Sequence, residues 1–316
     1  MNTRLEFFPV SFFSVVMGLA GFAIATEKVS QLVNFPLGSR VISYVALALF
    51  MACAFLYVTK ALRFFSAVRE EFVHPVRLHF FPAFSIGMLL LSIAFLSTAP
   101  KLASALWVVG TAIHLGFSLL IVSIWIRSER FQPEHLNPSW FIPIVGNMLI
   151  PISGARLFPG SYLWFFFSIG IVFWIILVSM VVNRLIFHKT MAERLIPTLF
   201  IMIAPPAVET ISYLQLTGSV DPFAYTLYYF ALFLALLFLV NATLFTRIRF
   251  ALSWWAYSFP LCALSIASAA IFIRTDEPYF RILSITVYAF LLIVITFLSV
   301  RTVICVYRRN ICTSEE

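Results

Sequence analysis

The sequence predicts an all-α membrane protein with ten transmembrane helices, and three observations lead to that fold class. Of the 316 residues, 62% are apolar and only 11% are charged, whereas soluble globular domains are about 45–50% apolar and about 25% charged. Apolar stretches of about 20 residues, the length that crosses a bilayer as a helix, recur along the whole chain. These stretches are apolar on all sides, while β-barrel strands alternate apolar and polar residues.

The ten predicted spans cover most of the chain. In chain order, spans one to ten are 8–25, 41–62, 80–97, 102–126, 140–158, 161–183, 195–216, 223–245, 251–273 and 282–304. The segments between them are too short to form a second domain, so we expect one transmembrane domain over residues 1–316. Function is then expected to lie within the membrane part.

Several functional classes lack support in the sequence. The four cysteines are scattered without a C-x-x-C pair, and the chain contains no H-E-x-x-H, no G-x-G-x-x-G and no P-loop. An intramembrane enzyme would need a metal cluster or a nucleophile–base set within the spans, and only His114 lies inside one. We therefore expect no enzyme activity, no metal, no other cofactor and no nucleic-acid partner.

The distribution of basic residues predicts the orientation. If both termini are cytoplasmic, most of the 21 Lys and Arg residues fall in cytoplasmic segments, as the positive-inside rule requires. The net charge of +8 then reflects topology rather than an anionic ligand. One alternative is a cleavable signal peptide formed by Arg4, the apolar run to Phe22 and the triplet 23–25, but its removal would destroy the repeat described next.

Prolines divide the spans into five helical hairpins. Each odd-numbered span carries a proline behind a bulky apolar residue near its cytoplasmic end, and no even-numbered span has one in its interior. The pairs are Phe8-Pro9, Phe81-Pro82, Ile142-Pro143, Ile196-Pro197 and Phe259-Pro260, and the additional prolines are Pro151, Pro205 and Pro206.

The prolines allow two interpretations. A proline in the first turn of a helix costs little, which accounts for Pro82, Pro143 and Pro197. A proline deeper in a span leaves a backbone carbonyl without its helical hydrogen bond. Within a membrane this occurs only where protein groups or a water-filled cavity supply another donor. The second interpretation predicts five kinked odd-numbered helices around a central pore, with five regular helices outside.

Two charged residues are predicted well inside the spans. Arg156 in span five and Glu209 in span seven lie at similar depths in the half away from the cytoplasm. Intramembrane charges are usually paired or functional, so we predict that these two form a structural ion pair. The alternative is that Arg156 adds positive potential along an anion path.

The remaining polar groups of the spans are neutral. His114, Asn147 and Asn183 are expected to form interhelical hydrogen bonds. A pathway short of fixed charges does not bind ions tightly, and weak binding permits release and conduction. Such a pore should favour large, weakly hydrated ions.

Five motifs resemble one family of transport proteins. They are FPVSFF at 8–13, REEFVHPVR at 69–77, NPS at 137–139 with VGN at 145–147, APP at 204–206, and FALSWWAYSFP at 250–260. Together and in this order they resemble the tellurite-resistance/dicarboxylate transporter family, which includes bacterial TehA and the plant guard-cell slow anion channels.

The resemblance implies a homotrimer with one pore in each subunit. Five inner helices would line the pore, five outer helices would surround it, and a phenylalanine would occlude it at mid-membrane. The aromatic–proline step after the double tryptophan Trp254-Trp255 assigns that phenylalanine to Phe259.

Two functional hypotheses follow from the sequence. The first is an anion channel of the bacterial inner membrane, gated by Phe259 and linked by the resemblance to tellurite resistance. The second is a proton-coupled carrier or exporter for dicarboxylate, sulfite or tellurite, in which Glu209 would be the titratable group.

Overall fold

Ten long apolar helices are present in the computed structural model, which describes residues 4–246, 248–308 and 311–312. Arg247 and Arg309, two of the cations used to predict the orientation, lie outside these residues. The ten membrane spans are Val10–Val33, Ser39–Arg63, Arg77–Ala94, Pro100–Arg127, Pro138–Leu157, Leu163–Phe187, Glu193–Thr217, Pro222–Val240, Leu252–Thr275 and Pro278–Tyr307. No strand occurs within the described ranges. The predicted all-α membrane fold is confirmed.

The odd-numbered spans each combine a 3-10 segment with an α-helix. The α-helices are α1 (Phe13–Val33), α2 (Ser39–Arg63), α3 (Phe65–Val73), α4 (Ala83–Ala94), α5 (Pro100–Arg127), α6 (Ile142–Leu157), α7 (Leu163–Phe187), α8 (Ala204–Thr217), α9 (Pro222–Val240), α10 (Ala242–Thr246), α11 (Ser258–Thr275) and α12 (Pro278–Tyr307). The 3-10 segments of spans one, three, five, seven and nine are Val10–Phe12, Arg77–Phe80, Pro138–Phe141, Glu193–Ile203 and Leu252–Tyr257.

Burial separates the odd-numbered spans from the even-numbered ones. In the apolar stretch of each odd-numbered span, 78–83% of the residues are buried, against 22–33% in the even-numbered spans. A helix that is apolar all round and buried belongs to the interior of a membrane bundle. The odd-numbered spans therefore form an inner bundle, and the even-numbered spans form an outer shell.

The inner bundle closes on itself in chain order. Each of α1, α4, α6, α8 and α11 contacts the next, and α11 returns to contact α1. The 3-10 segments form a second closed ring in the same order. Each outer helix packs on its own hairpin partner and on the following inner helix, so the five hairpins repeat one arrangement around a common axis.

The prediction that these prolines kink continuous helices is wrong for most of them, because they lie at the junction between the 3-10 segment and the α-helix. Pro205 and Pro206 lie in the first turn of α8, and Pro260 is the third residue of α11. First-turn positions tolerate proline, so these residues mark where an α-helix begins inside the membrane rather than a kink in a continuous helix. Among the eight predicted kink prolines, only Pro151 lies in the interior of an α-helix, while Pro197 lies inside a 3-10 segment.

The other three prolines also lie at segment boundaries. Pro9 precedes the 3-10 segment of span one, Pro82 precedes α4, and Pro143 is the second residue of α6. The hydrophobicity of the sequence does not reveal these changes of helix type, because the 3-10 segment and the α-helix of each inner span are both apolar.

Hydroxyl groups bond carbonyls at or near these junctions. Ser14, Ser85 and Ser258 each donate to the carbonyl three residues earlier. Thr210 donates to the carbonyl of Pro206, and Ser118 of span four donates to the carbonyl of Pro143. One such carbonyl lies in each inner span. Since lipid offers no hydrogen bonds, these hydroxyls supply partners where the regular backbone pattern changes.

The first and last described segments of the chain lie on one face of the bundle. The Arg4 guanidinium donates from Nη2 to the carbonyls of Val306 (3.2 Å) and Ile311 (3.3 Å). We call this side the terminal face and the opposite side the distal face. All five 3-10 segments lie toward the terminal face, and all five inner α-helices end at the distal face.

Span one extends further than predicted. The prediction ended it at Ala25, before Glu27 and Lys28, whereas α1 continues to Val33. Charged residues in the last turns of a helix reach the membrane boundary and need not end it.

Close packing between spans four and five predicts a strong effect of one glycine. A Cβ added to Gly146 would lie 2.1 Å from Cε1 of His114, whereas one added to Gly116 would have nothing within 4 Å. The His114 ring is rigid and fully buried, so Gly146→Ala should lower stability by about 1–3 kcal/mol or more.

Thermal unfolding in detergent would measure this effect, with Gly116→Ala as the matched control. Alanine favours a helix by about 0.5–1 kcal/mol over glycine, so the control should be neutral or slightly stabilising. Equal melting temperatures for the two variants would contradict the packing described here.

Candidate anion pathway

Phe259 lies where span nine changes from 3-10 to α-helix. It is the second residue of α11, and its side chain is half-buried, while its neighbours Ser258 and Pro260 are buried. A Cβ added to Gly21 of α1 would lie 3.3 Å from Cδ2 of the Phe259 ring. The ring therefore rests against the backbone of the first inner helix.

The tryptophans before Phe259 fix its position. Nε1 of Trp255 donates to Oγ1 of Thr302 in span ten (2.9 Å), and Nε1 of Trp254 donates to the carbonyl of Arg249 (3.1 Å). Trp255 is only 2% exposed. These bonds anchor the 3-10 segment to the outer shell and so set the direction in which α11 begins.

Arg156 and Glu209 do not form the predicted ion pair. Neither carboxylate oxygen of Glu209 has a hydrogen-bond partner, although the residue is fully buried in α8. Arg156 is exposed in the last turn of α6. Counting residues along each span placed both at a similar depth, but helix α6 ends one residue after Arg156, which leaves the guanidinium at the distal face.

A chain of hydrogen bonds connects spans three, four and five. His114 Nδ1 and Ser85 Oγ are 2.9 Å apart, and Asn147 Nδ2 donates to Ser118 Oγ at 2.9 Å. The predicted interhelical roles of His114 and Asn147 are confirmed. Asn183 is instead exposed on span six.

A buried charge cluster at the terminal face was not found from the sequence. Lys60 Nζ lies 3.2 Å from Oε2 of Glu71 and donates to the carbonyl of Phe8 at 2.9 Å. The Tyr57 hydroxyl donates to Oε2 of Glu71 at 2.7 Å, and the Val10 amide donates to Oε1 at 3.4 Å. The cluster joins the start of span one to span two and α3.

The sequence signal for this cluster was ambiguous. Lys60 lies at the end of an apolar run, where lysine usually reports topology, and Glu71 lies in a charged loop motif. Their side chains are 1% and 6% exposed, so both face the junction of the segments rather than water.

The fold defines a multi-pass all-α membrane protein. Residues 7–303 match the family model described as voltage-dependent anion channel. The chain belongs to this family, and the resemblance inferred from the five motifs is confirmed.

The chain is similar to plant and bacterial members of that family. It is 28% identical to the S-type anion channel SLAH3 of Arabidopsis thaliana over 94% of this chain and 48% of the relative. It is 27% identical to the guard cell S-type anion channel SLAC1 of the same plant over 83% of this chain and 49% of the relative. It is 29% identical to the tellurite resistance protein TehA homolog of Haemophilus influenzae, covering 86% of this chain and 84% of that protein. The chain spans about half the length of these plant relatives.

Removing one member of the buried charge cluster should destabilise the protein. Glu71→Gln leaves the Lys60 ammonium buried without its counter-charge, which typically costs about 3–5 kcal/mol. Thermal unfolding in detergent should show a large drop for this variant and almost none for Glu70→Gln, because Glu70 is exposed.

An apolar replacement of both charges tests the electrostatic cause. Lys60→Met with Glu71→Leu removes the charges together and should recover most of the loss, as apolar substitutes for buried pairs often do. If the double variant is no more stable than Glu71→Gln, packing rather than charge explains the effect.

Proposed function

We propose that this protein is an anion channel of the bacterial inner membrane whose pore runs along the axis of the inner bundle and is closed by Phe259. The observation that carries the proposal is the half-buried Phe259 ring, held against Gly21 inside a closed ring of five inner spans. The apolar stretch of span nine is 83% buried, and Phe259 is one of its partly exposed residues.

The chemistry of the axis favours conduction over tight binding. The inner spans carry hydroxyl groups, glycines and apolar side chains near the junctions, where one carbonyl per span is bonded by a hydroxyl. Constrictions of this type exclude water until they open, and weak binding allows ions to leave. Permeation should then follow ease of dehydration, with large monovalent anions favoured.

Orientation, assembly and membrane are part of the same proposal. Both termini would be cytoplasmic, because most Lys and Arg residues then lie on the cytoplasmic side, as the positive-inside rule requires.

The protein would form a homotrimer with one pore per subunit, and the exposed apolar surface of the outer shell offers room for subunit contacts as well as lipid. A relative from Haemophilus influenzae named for tellurite resistance supports a bacterial inner membrane and a link to tellurite. The channel assignment implies no enzyme activity.

Removing the Phe259 ring should open the pathway. Phe259→Ala deletes the side chain that lies across the axis, so anion conductance in planar bilayers should rise at least about tenfold, since a dewetted constriction is replaced by a hydrated one. Phe233→Ala is the matched control, because Phe233 is 58% exposed on the outer shell. If Phe259→Ala conducts no better than the parent protein and the control, Phe259 is not the gate.

A proton-coupled carrier remains the second candidate, and one observation favours it. Glu209 is fully buried with both carboxylate oxygens unpartnered, and an ionisable group of that kind within a membrane is a functional candidate by default.

Flux measurements distinguish the two candidates. In liposomes, a channel should carry anions at a rate that is unchanged by a pH gradient at fixed voltage and by Glu209→Gln. A carrier should lose uphill, pH-driven uptake when the titratable group is removed. Glu193→Gln, an exposed carboxylate at the start of span seven, is the control. Gradient-driven uptake that only Glu209→Gln abolishes would overturn the channel proposal.

A further inference from the structure

Three cations converge at the distal ends of three different inner helices. Lys28 lies near the end of α1, Arg156 in the last turn of α6, and Arg274 in the last turn of α11. Lys28 lies within electrostatic range of Arg274 and Arg156, and the adjacent Glu27 is its strongest charge partner. The ring of inner helices therefore brings three positive charges together at its distal end.

Helical spacing places two of these cations near the faces that meet Phe259. Lys28 follows Gly21 by two turns, so it lies on the face of α1 that touches the Phe259 ring. Arg274 lies about 60° around α11 from the direction of Phe259, given about 100° per residue. Both cations therefore lie near the contact between α1 and α11 at which the Phe259 ring is packed.

Two of the three cations have no other structural role in the described part of the chain. Arg274 donates to the carbonyls of Ala270 (3.0 Å) and Leu214 (3.2 Å), which joins the ends of α11 and α8. Lys28 and Arg156 make no hydrogen bond or ion pair within the described ranges, although Glu27 lies beside Lys28 in sequence. Their donors remain available to a ligand.

The acidic residues of the distal face, apart from Glu27 on α1, lie at hairpin turns. Glu27 accepts from Ser97 Oγ at 3.2 Å, and Glu277 accepts from the Tyr225 hydroxyl at 2.9 Å. Asp221 caps the outer helix α9. Asp276 ends α11 in a left-handed conformation and is exposed. The cations belong to inner helices, whereas most of the acids belong to hairpin turns.

This arrangement reverses the field that the helices alone would create. All five inner α-helices end at the distal face, and the C-terminus of a helix carries about half a negative charge. Without the cations, five such ends would repel an approaching anion. Clefts lined by charge of one sign raise the local concentration of the opposite ion.

We propose that Lys28, Arg156 and Arg274 form a distal anion-capture site that concentrates small monovalent inorganic anions at the mouth of the pathway. The proposal rests on the channel function proposed above and adds a site at which the ion is held before it reaches Phe259. Arg156 is exposed while Lys28 and Arg274 are half-buried, so water still reaches the site, which binds weakly and releases readily.

A cysteine reporter measures the potential at this mouth without requiring conduction. Ile273 precedes Arg274 and is 51% exposed, so Ile273→Cys can be labelled in a protein where Cys305 and Cys312 are serine. The ratio of labelling rates for a sulfonate-bearing and a trimethylammonium-bearing methanethiosulfonate reports the local potential. Lys28→Gln with Arg156→Gln should lower that ratio about tenfold at low ionic strength.

Salt and a matched variant provide the controls. The effect should vanish in 1 M salt, where the Debye length is about 3 Å. Arg40→Gln with Lys101→Gln removes two exposed cations from outer helices on the same face and should change the ratio much less. Equal effects of the two double variants would overturn the capture site. Arg274→Lys, which keeps the charge but alters the carbonyl contacts, should leave the ratio nearly unchanged.

Conductance in the Phe259→Ala protein links the site to function. At low chloride, Lys28→Gln with Arg156→Gln should reduce the current several-fold, and the currents should converge at high chloride. If Phe259→Ala carries no current, the gate proposal fails, while the labelling ratio still decides the capture site. If the double variant carries the same current as the Phe259→Ala protein and leaves the labelling ratio unchanged, the capture site is rejected and the gate proposal stands.

Discussion

The need to bond every backbone group inside the membrane constrains this structure more than any other factor. Lipid provides no donor or acceptor, so a helix that changes type within the bilayer must find partners for its displaced carbonyls. Here each inner span makes such a change, and each has a carbonyl near it that accepts from a Ser or Thr hydroxyl. The outer shell keeps these sites away from lipid, which is why only the inner spans carry them.

Much of this architecture was predictable because apolar length and proline position are local properties of the sequence. The ten spans and the inner and outer classes follow from them, and the family follows from five sequence motifs. The site of the change from 3-10 to α-helix was not predictable, because Pro205 and Pro206 lie in a continuous apolar run that hides the start of α8. Side-chain directions were also hidden: similar depth suggested an Arg156–Glu209 pair, but depth says nothing about which way each residue points.

The charges that the sequence did not place correctly depend on tertiary contacts. Lys60 and Glu71 become buried because two spans and α3 meet around them, and no property of either segment alone requires this. Lys28 belongs to the inner bundle because α1 continues eight residues past its predicted end. In both cases the sequence located the charge, and only the packing determined whether it is neutralised or left free.

The same packing limits how the axis could open. Each inner helix contacts two inner neighbours and two outer helices, so displacing one would break contacts on four sides and disturb the hydroxyl–carbonyl bond at or near its junction. Rotating a side chain away from its preferred conformation costs only about 0.5–1.5 kcal/mol. Gly21 leaves the Phe259 ring against bare backbone, with no side chain between them to hold it. For the proposed channel, a bundle closed this firmly therefore favours a gate that moves one ring over a gate that moves a helix.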